Sequence, residues 1–178
     1  MTLTTRADPL WRRQAHSVDT LTSSYHFQAG GTSSATAWGT QYRAIYVPVR
    51  VPYPGVVKEM WVNTGSTGAG NIDVGLYDAA GTRLVSTGST AHGAGNTLVA
   101  FEVTDTTIQA GLYYLALNND TTTDTFRALT TSAALTMISG VLSETLGAVT
   151  LPATATWAVD TTLAFLPKMG ALFVTELA

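Results

Sequence analysis

Cysteine is missing from all 178 residues. That excludes a disulfide framework, thiolate metal sites and a cysteine nucleophile, and it fits folding in a reducing compartment. Charge is scarce as well. Asp, Glu, Lys and Arg make up 12% of the chain, about half of an ordinary soluble domain's share. Because 46% of residues are hydrophobic, the chain is not a disordered tract. Its polar surface must be built mostly from hydroxyls and amides. The net charge is −3 and uneven: residues 1–13 hold Arg6, Arg12 and Arg13 against Asp8, a net +2, which leaves −5 for the rest. A negative body argues against nucleic-acid binding, which needs a broad basic face to displace counterions from phosphates. Long hydrophobic runs are also lacking. The most apolar stretch, "LAFLPKMGALFV", is short and interrupted by Pro167, Lys168 and Gly170, so no membrane span is expected there. No apolar segment follows the first arginines, so no secretory signal is expected.

What is present is strand and turn. Threonine is abundant, and its branched Cβ suits a pleated surface. Residues 1–40 are rich in Gly, Ser, Thr and Ala without a clean period. They read as an extended arm with apolar anchors, Trp11, Tyr25, Phe27 and Trp38. The arginines Arg6, Arg12 and Arg13, with Trp11, are the candidates for attaching such an arm to an acidic partner. From residue 41 to 178 the chain reads as one sandwich domain. "RAIYVPVRV" is a β-branched strand, and Pro48 inside it predicts an edge or a bulge. "VVKEMWVN", "NIDVGLY", "TRLVS", "TLVAFEV", "GLYYLALN" and "TFRAL" follow as strands. In "NIDVGLY", Ile72, Val74 and Leu76 alternate with Asp73, Gly75 and Tyr77, which predicts one buried and one wet face. "GLYYLALN" is apolar on both sides, which predicts a central strand. Residues 131–147 are ambiguous between a short helix and loop. "TATWAV", "TTLAF" and "ALFVTEL" close the chain as strands. Short strands at short spacing predict an all-β fold: an antiparallel β-sandwich, jelly-roll-like, with an extended N-terminal arm.

Chemistry is harder to find. "TGSTGAGN" (Thr64–Asn71) and "TGSTAHGAGN" (Thr87–Asn96) look like a site or a repeat. A phosphate loop needs a Lys and a following helix; both are missing, and glycine-rich sheet corners remain. His16, His26 and His92 are widely spaced and form no metal-binding pair. The serine-hydrolase elbow Gly-x-Ser-x-Gly is absent. Carboxylates that a glycosidase could pair include Glu59, Asp73, Asp78, Glu102 and Glu144, yet most fall at turns or on polar strand positions, so no enzyme and no cofactor is expected. "NNDTTTD" (Asn118–Asp124) is oxygen-rich enough to ligate Ca²⁺ through Asn118, Asn119, Asp120 and Asp124, but lacks EF-hand spacing. A solvated hairpin is the competing reading. Surface aromatics can stack on sugar rings, and Trp61, Tyr77, Tyr114 and Trp157 are the candidates; core or interface packing is the alternative.

In order, "AIYVPVRVPYPGVVKEMWV", "GNIDVGLYDAAGTRLVSTGS", "TIQAGLYYLALNND" and "TFRAL", with the late loop "LPATAT" (Leu151–Thr156), resemble a jelly-roll module of bacteriophage tail-fibre, minor-tail and other virion proteins. The resemblance spans Tyr42–Leu129. It implies a virion component made in the host bacterial cytoplasm, assembled as a homotrimer, with the arm on the tail or capsid and the sandwich facing outward. It carries no catalytic motif, and fold alone does not fix function. Three functions then compete: a tail-associated module that binds host surface glycans, a capsid decoration or head-fibre protein that stabilises the particle, and a glycan-processing enzyme.

Overall fold

The computed structural model describes residues 19–22, as backbone, and residues 34–174. Arg6, Trp11, Arg12 and Arg13 lie outside the described residues, as do His16, Tyr25, His26 and Phe27. The strands are β1 (Asp19–Thr22), β2 (Ser34–Ala37), β3 (Arg43–Val51), β4 (Gly55–Asn63), β5 (Asn71–Asp78), β6 (Arg83–Ser86), β7 (Thr90–Ala91), β8 (Leu98–Ile108), β9 (Gly111–Asn119), β10 (Thr125–Thr130), β11 (Leu142–Thr145), β12 (Ala158–Val159), β13 (Phe165–Pro167) and β14 (Met169–Val174). Every strand pairing among the described residues is antiparallel. One layer is a seven-stranded sheet in the order β12-β11-β3-β9-β5-β6, with β7 also on β5. The other layer joins two sheets, β1-β14-β4-β8 and β13-β10-β2. They meet at Lys168, between β13 and β14. Its N–H donates to Arg127 and its carbonyl accepts from Asn63, each at 2.8 Å. The fold is an all-β antiparallel sandwich, and its chain crosses between layers in the jelly-roll manner, as from β3 to β4 to β5 and from β8 to β9 to β10.

Alternation along the strands builds the core. Val57, Met60 and Val62 of β4 face Ile45, Val47 and Val49 of β3, Ile72, Val74 and Leu76 of β5, and Leu115 and Leu117 of β9, all buried in one cluster. Fully burying one such side chain stabilises by roughly 1.5–3 kcal/mol. Trp38 belongs to this core at 1% exposure; its ring meets Phe126 edge-on at 5.1 Å. Residues Ser34–Ala37, within the expected arm, pair with β10. β9 lies between β3 and β5, the central place its two apolar faces predict.

Two expectations need correction. β3 is not an edge strand: β9 pairs along its length and β11 covers Arg43–Tyr46. Pro48 is tolerated because β11 ends before it, leaving that side of β3 open. The second face of β5 is not wet either. Asp73 and Tyr77 are fully buried, because residues 146–157 lie across the outer face of the seven-stranded sheet. Asn118 Nδ2 donates to the carbonyls of Ala148 (2.9 Å) and Val149 (2.7 Å). Asp73 Oδ2 accepts from the Leu151 N–H at 2.8 Å, and the Tyr77 hydroxyl donates to the Pro152 carbonyl at 2.6 Å. A second apolar cluster, Ala44, Tyr46, Tyr77, Ala116 and Leu151, sits beneath this cover.

The ambiguous region begins with a short helix, α1 (Ala133–Ile138). Ser132 caps it, accepting from the Leu135 N–H at 3.2 Å, and Gly140 turns the chain at φ +75° into β11. "TATWAV" and "TTLAF" are mostly loop, contributing only β12 and the first residue of β13.

Candidate functional site

The two glycine stretches meet each other. Asn96 N–H donates to the Gly65 carbonyl at 2.6 Å, and His92 N–H to the Gly70 carbonyl at 2.9 Å. The first also packs on the oxygen-rich hairpin. Asp124 Oδ1 accepts from the Ala69 N–H at 2.8 Å, and its Oδ2 from Gly70 at 3.2 Å. Asp120 Oδ1 accepts from the Asn71 N–H at 2.8 Å. Successive backbone amides of "TGAGN" therefore do cradle anions, and the anions are carboxylates of the same chain. An amide concavity of this kind favours negative charge; here it is filled. Glycine is required by close approach: a Cβ on Gly70 would lie 2.1 Å from Asp120 Oδ1, and one on Gly68 only 2.0 Å from His92 Nδ1.

These bonds also engage the proposed Ca²⁺ ligands, with the exception of Asn119 Oδ1, which is buried without a hydrogen-bond partner. Asn118 ties down the 146–157 cover, Asn119 Nδ2 donates to Thr121 at 2.7 Å, and Asp120 and Asp124 face amides. Among the described residues no group of three or more His, Cys, Asp or Glu could hold a metal ion. His92 is buried at 1% exposure. Its Nε2 lies 3.1 Å from the Thr125 carbonyl and its ring packs on Phe126 at 4.9 Å.

Apart from Glu59 and Glu102, the candidate carboxylates are dispersed. Asp78 closes the "DAAG" turn, accepting from Ala80 and Thr82 N–H at 2.9 and 2.8 Å. Asp73 is raised above the ordinary carboxylate value because burial outweighs the bonds from Leu151 and Thr87. Glu144 accepts from the Tyr46 hydroxyl at 2.5 Å and from the Thr156 N–H at 2.9 Å. Glu59 and Glu102 are register partners on the outer face of β4 and β8, an open sheet surface where like charges destabilise the pair.

Three of the four candidate aromatics come together, and Trp61 does not. Trp61 is half-buried on the outer face of β4, opposite Ala100 and Gly170. On the far side of the sandwich, Trp157 packs at 4.7 Å on Tyr114, 4.9 Å on Tyr46 and 6.0 Å on Tyr77. Tyr46 and Tyr77 are fully buried and are not stacking surfaces. Burial raises both phenols above their ordinary value, Tyr46 with the Glu144 carboxylate adding to the effect. Tyr114 and Trp157 are half-buried and present a small aromatic shelf braced from below. Sequence reasoning missed Tyr46, the centre of this cluster. Its signal was parity: it shares a face of β3 with Ala44, the face opposite Ile45 and Val47.

Sequence reasoning also missed an ion pair. Arg43 Nη2 bonds Asp160 Oδ2 at the β11–β12 edge. Asp160 Oδ1 accepts from the N–H groups of Thr162 and Leu163, each at 2.9 Å. Burial alone would raise this carboxyl; the bonds from Ser143, Thr162, Leu163 and Arg43 outweigh it and hold the pKa at about 2. The pair lies in an open depression.

Among known proteins, the chain matches no protein-family model, no curated protein and no solved structure. Among the described residues, no helix is long and apolar enough to cross a membrane.

Proposed function

We propose that this chain is a non-enzymatic, tail-associated structural module of a bacteriophage particle that binds host surface glycans. The resemblance over Tyr42–Leu129 supplies the virion context, the homotrimer and the attachment of the N-terminal segment to other virion proteins. The observation that carries the adhesive part is the Trp157–Tyr114 shelf. Its two half-buried rings meet at 4.7 Å with a 45° tilt, and the buried Tyr46 and Tyr77 brace Trp157 from beneath. A rigid aromatic surface loses little entropy when a sugar face stacks on it. Weak single contacts become useful when several copies bind at once.

The test uses purified, fluorescently labelled protein on host cells, with soluble surface glycans as competitors. Binding that sugar displaces, and that Tyr114→Ala reduces while Trp61→Ala does not, supports the reading. Failure of the folded protein to label cells overturns it. Tag imaging on the particle adds an independent arm: signal over the whole capsid replaces adhesion with capsid decoration. Turnover of a polysaccharide, abolished by a single Glu or Asp change, replaces it with a glycan-processing enzyme.

A further inference from the structure

An open depression of about 320 Å³ lies at the β11–β12 edge of the seven-stranded layer. Ser143 and Thr145 line it, whereas Glu144 between them bonds Tyr46. Side chains alternate across a strand, so the depression and the aromatic cluster occupy opposite faces of β11. Its volume is at the small end of the roughly 300–1,000 Å³ of small-molecule sites.

The chemistry of its walls is specific. Thr40, Thr145 and Thr161 contribute hydroxyls, each able to donate and accept. Val159, 53% exposed, adds an apolar side. The only full charges lining it are Arg43 and Asp160, and they neutralise each other. A lone guanidinium would recruit phosphate or carboxylate; one already bonded to a buried carboxylate does so far less. Asp160 itself has little left to offer. Its side chain is 1% exposed, Oδ1 takes three internal bonds, and Oδ2 takes Arg43. This acid is a structural anchor for the 158–163 loop and is in no position to bind a cation. Arg43 makes its internal bonds, to Asp160 and Thr162, through Nη2. A guanidinium carries five N–H donors, so donors remain for a ligand oxygen.

We propose that this depression binds an uncharged saccharide, held by the hydroxyls of Thr40, Thr145 and Thr161, by Arg43 donating to a sugar oxygen, and by Val159 against a C–H face. The site goes beyond the adhesive reading: it is separate from the Trp157–Tyr114 shelf and needs no virion.

The test is amide NMR titration of the full chain with neutral hexoses and their disaccharides, alongside glucuronate and inorganic phosphate. Saturable shifts at Thr40, Thr145 and Thr161 with a neutral sugar support the site. Thr145→Val and Thr161→Val, each confirmed folded by thermal melting, then weaken binding about three- to tenfold, as loss of one neutral hydrogen bond predicts. Saturation by glucuronate or phosphate but by no neutral sugar overturns it, as does no saturable shift with any sugar. Shifts confined to Tyr114 and Trp157 also overturn it, while leaving the adhesive reading standing. Conversely, unlabelled host cells combined with shifts at Thr145 would end that reading and leave this one intact.

Discussion

Replacing Gly68 by alanine tests the loop cluster at its tightest point. The added Cβ would lie 2.0 Å from His92 Nδ1, 2.6 Å from Cε1 and 2.8 Å from Cγ, where ordinary contact begins near 3.4 Å. Ring or loop must therefore yield by about 1.4 Å. The ring has little room to do so. Its Nε2 is 3.1 Å from the Thr125 carbonyl, its face meets Phe126 at 4.9 Å, and the residue's backbone N–H donates to the Gly70 carbonyl at 2.9 Å. Overpacking of this kind costs about 1–3 kcal/mol, and the upper half of that range applies because the ring is held at Nε2 and on its face while the backbone beneath it is fixed to Gly70. At ~2–3 kcal/mol the melting temperature of a chain this size falls by ~5–10 °C. Urea unfolding at unchanged m measures it. Gly147→Ala is the control: a Cβ there meets nothing within 4 Å, so the change stays within about 0.5 kcal/mol. In a His92→Ala background the Gly68→Ala cost should largely vanish, a coupling of at least ~1.5 kcal/mol in a double-mutant cycle. A Gly68→Ala cost below ~0.5 kcal/mol, or the same cost in both backgrounds, refutes the argument.

Three further outcomes follow from other groups. Asp124→Ala strips the acceptor from the Ala69 and Gly70 amides; it should cost about 1–3 kcal/mol and speed hydrogen exchange at those two amides before any others, and unchanged exchange there would contradict the cradle. Asp73 has a folded value above its unfolded one, so its stabilisation is complete below the unfolded pKa and is lost as pH rises through the folded value. Relative to Asp73→Asn, the native chain should thus become less stable in urea titrations as pH rises above the ordinary carboxylate range, and a pH-independent difference would refute the raised value. Asp160 has the opposite sign: held at about 2, it contributes roughly 2–3 kcal/mol above pH ~4 that disappears as pH falls toward 2. Asp160→Asn should lose that contribution at pH 7 and flatten the acid limb, as chemical denaturation across pH 2–7 can check.

Strands were legible wherever burial and alternation agree. "GLYYLALN" is apolar on both sides because β9 is covered on both, by the core and by residues 146–157. β5 misled for the converse reason. Asp73 and Tyr77 look like solvent-facing residues, and nothing local announces that Leu151 N–H and the Pro152 carbonyl will satisfy them. The glycine stretches were recognisable as corners that lack a phosphate loop's lysine. The partners of the first, Asp120 and Asp124, lie about fifty residues away, beyond any local pattern. Trp157 and Tyr114 were legible as aromatics of interest, but Tyr46 and Tyr77 had to be placed in the sheet before one could see which rings remain exposed. The Arg43–Asp160 pair spans 117 positions, and only the register of β3 with β11 brings it together.

The loop cluster gathers the ends of β4, β5, β8, β9 and β10, strands drawn from both layers, at one end of the sandwich. Under mechanical load the layers cannot be peeled apart there without breaking carboxylate–amide bonds, so that end behaves as a clasp. At the other end, where the β3–β4 turn exposes Tyr53, the layers are joined by the chain itself, through the β3–β4 and β8–β9 turns. The clasp thus adds side-chain bonds to the chain's own crossings, and a single substitution at Asp124 loosens it without cutting any strand connection.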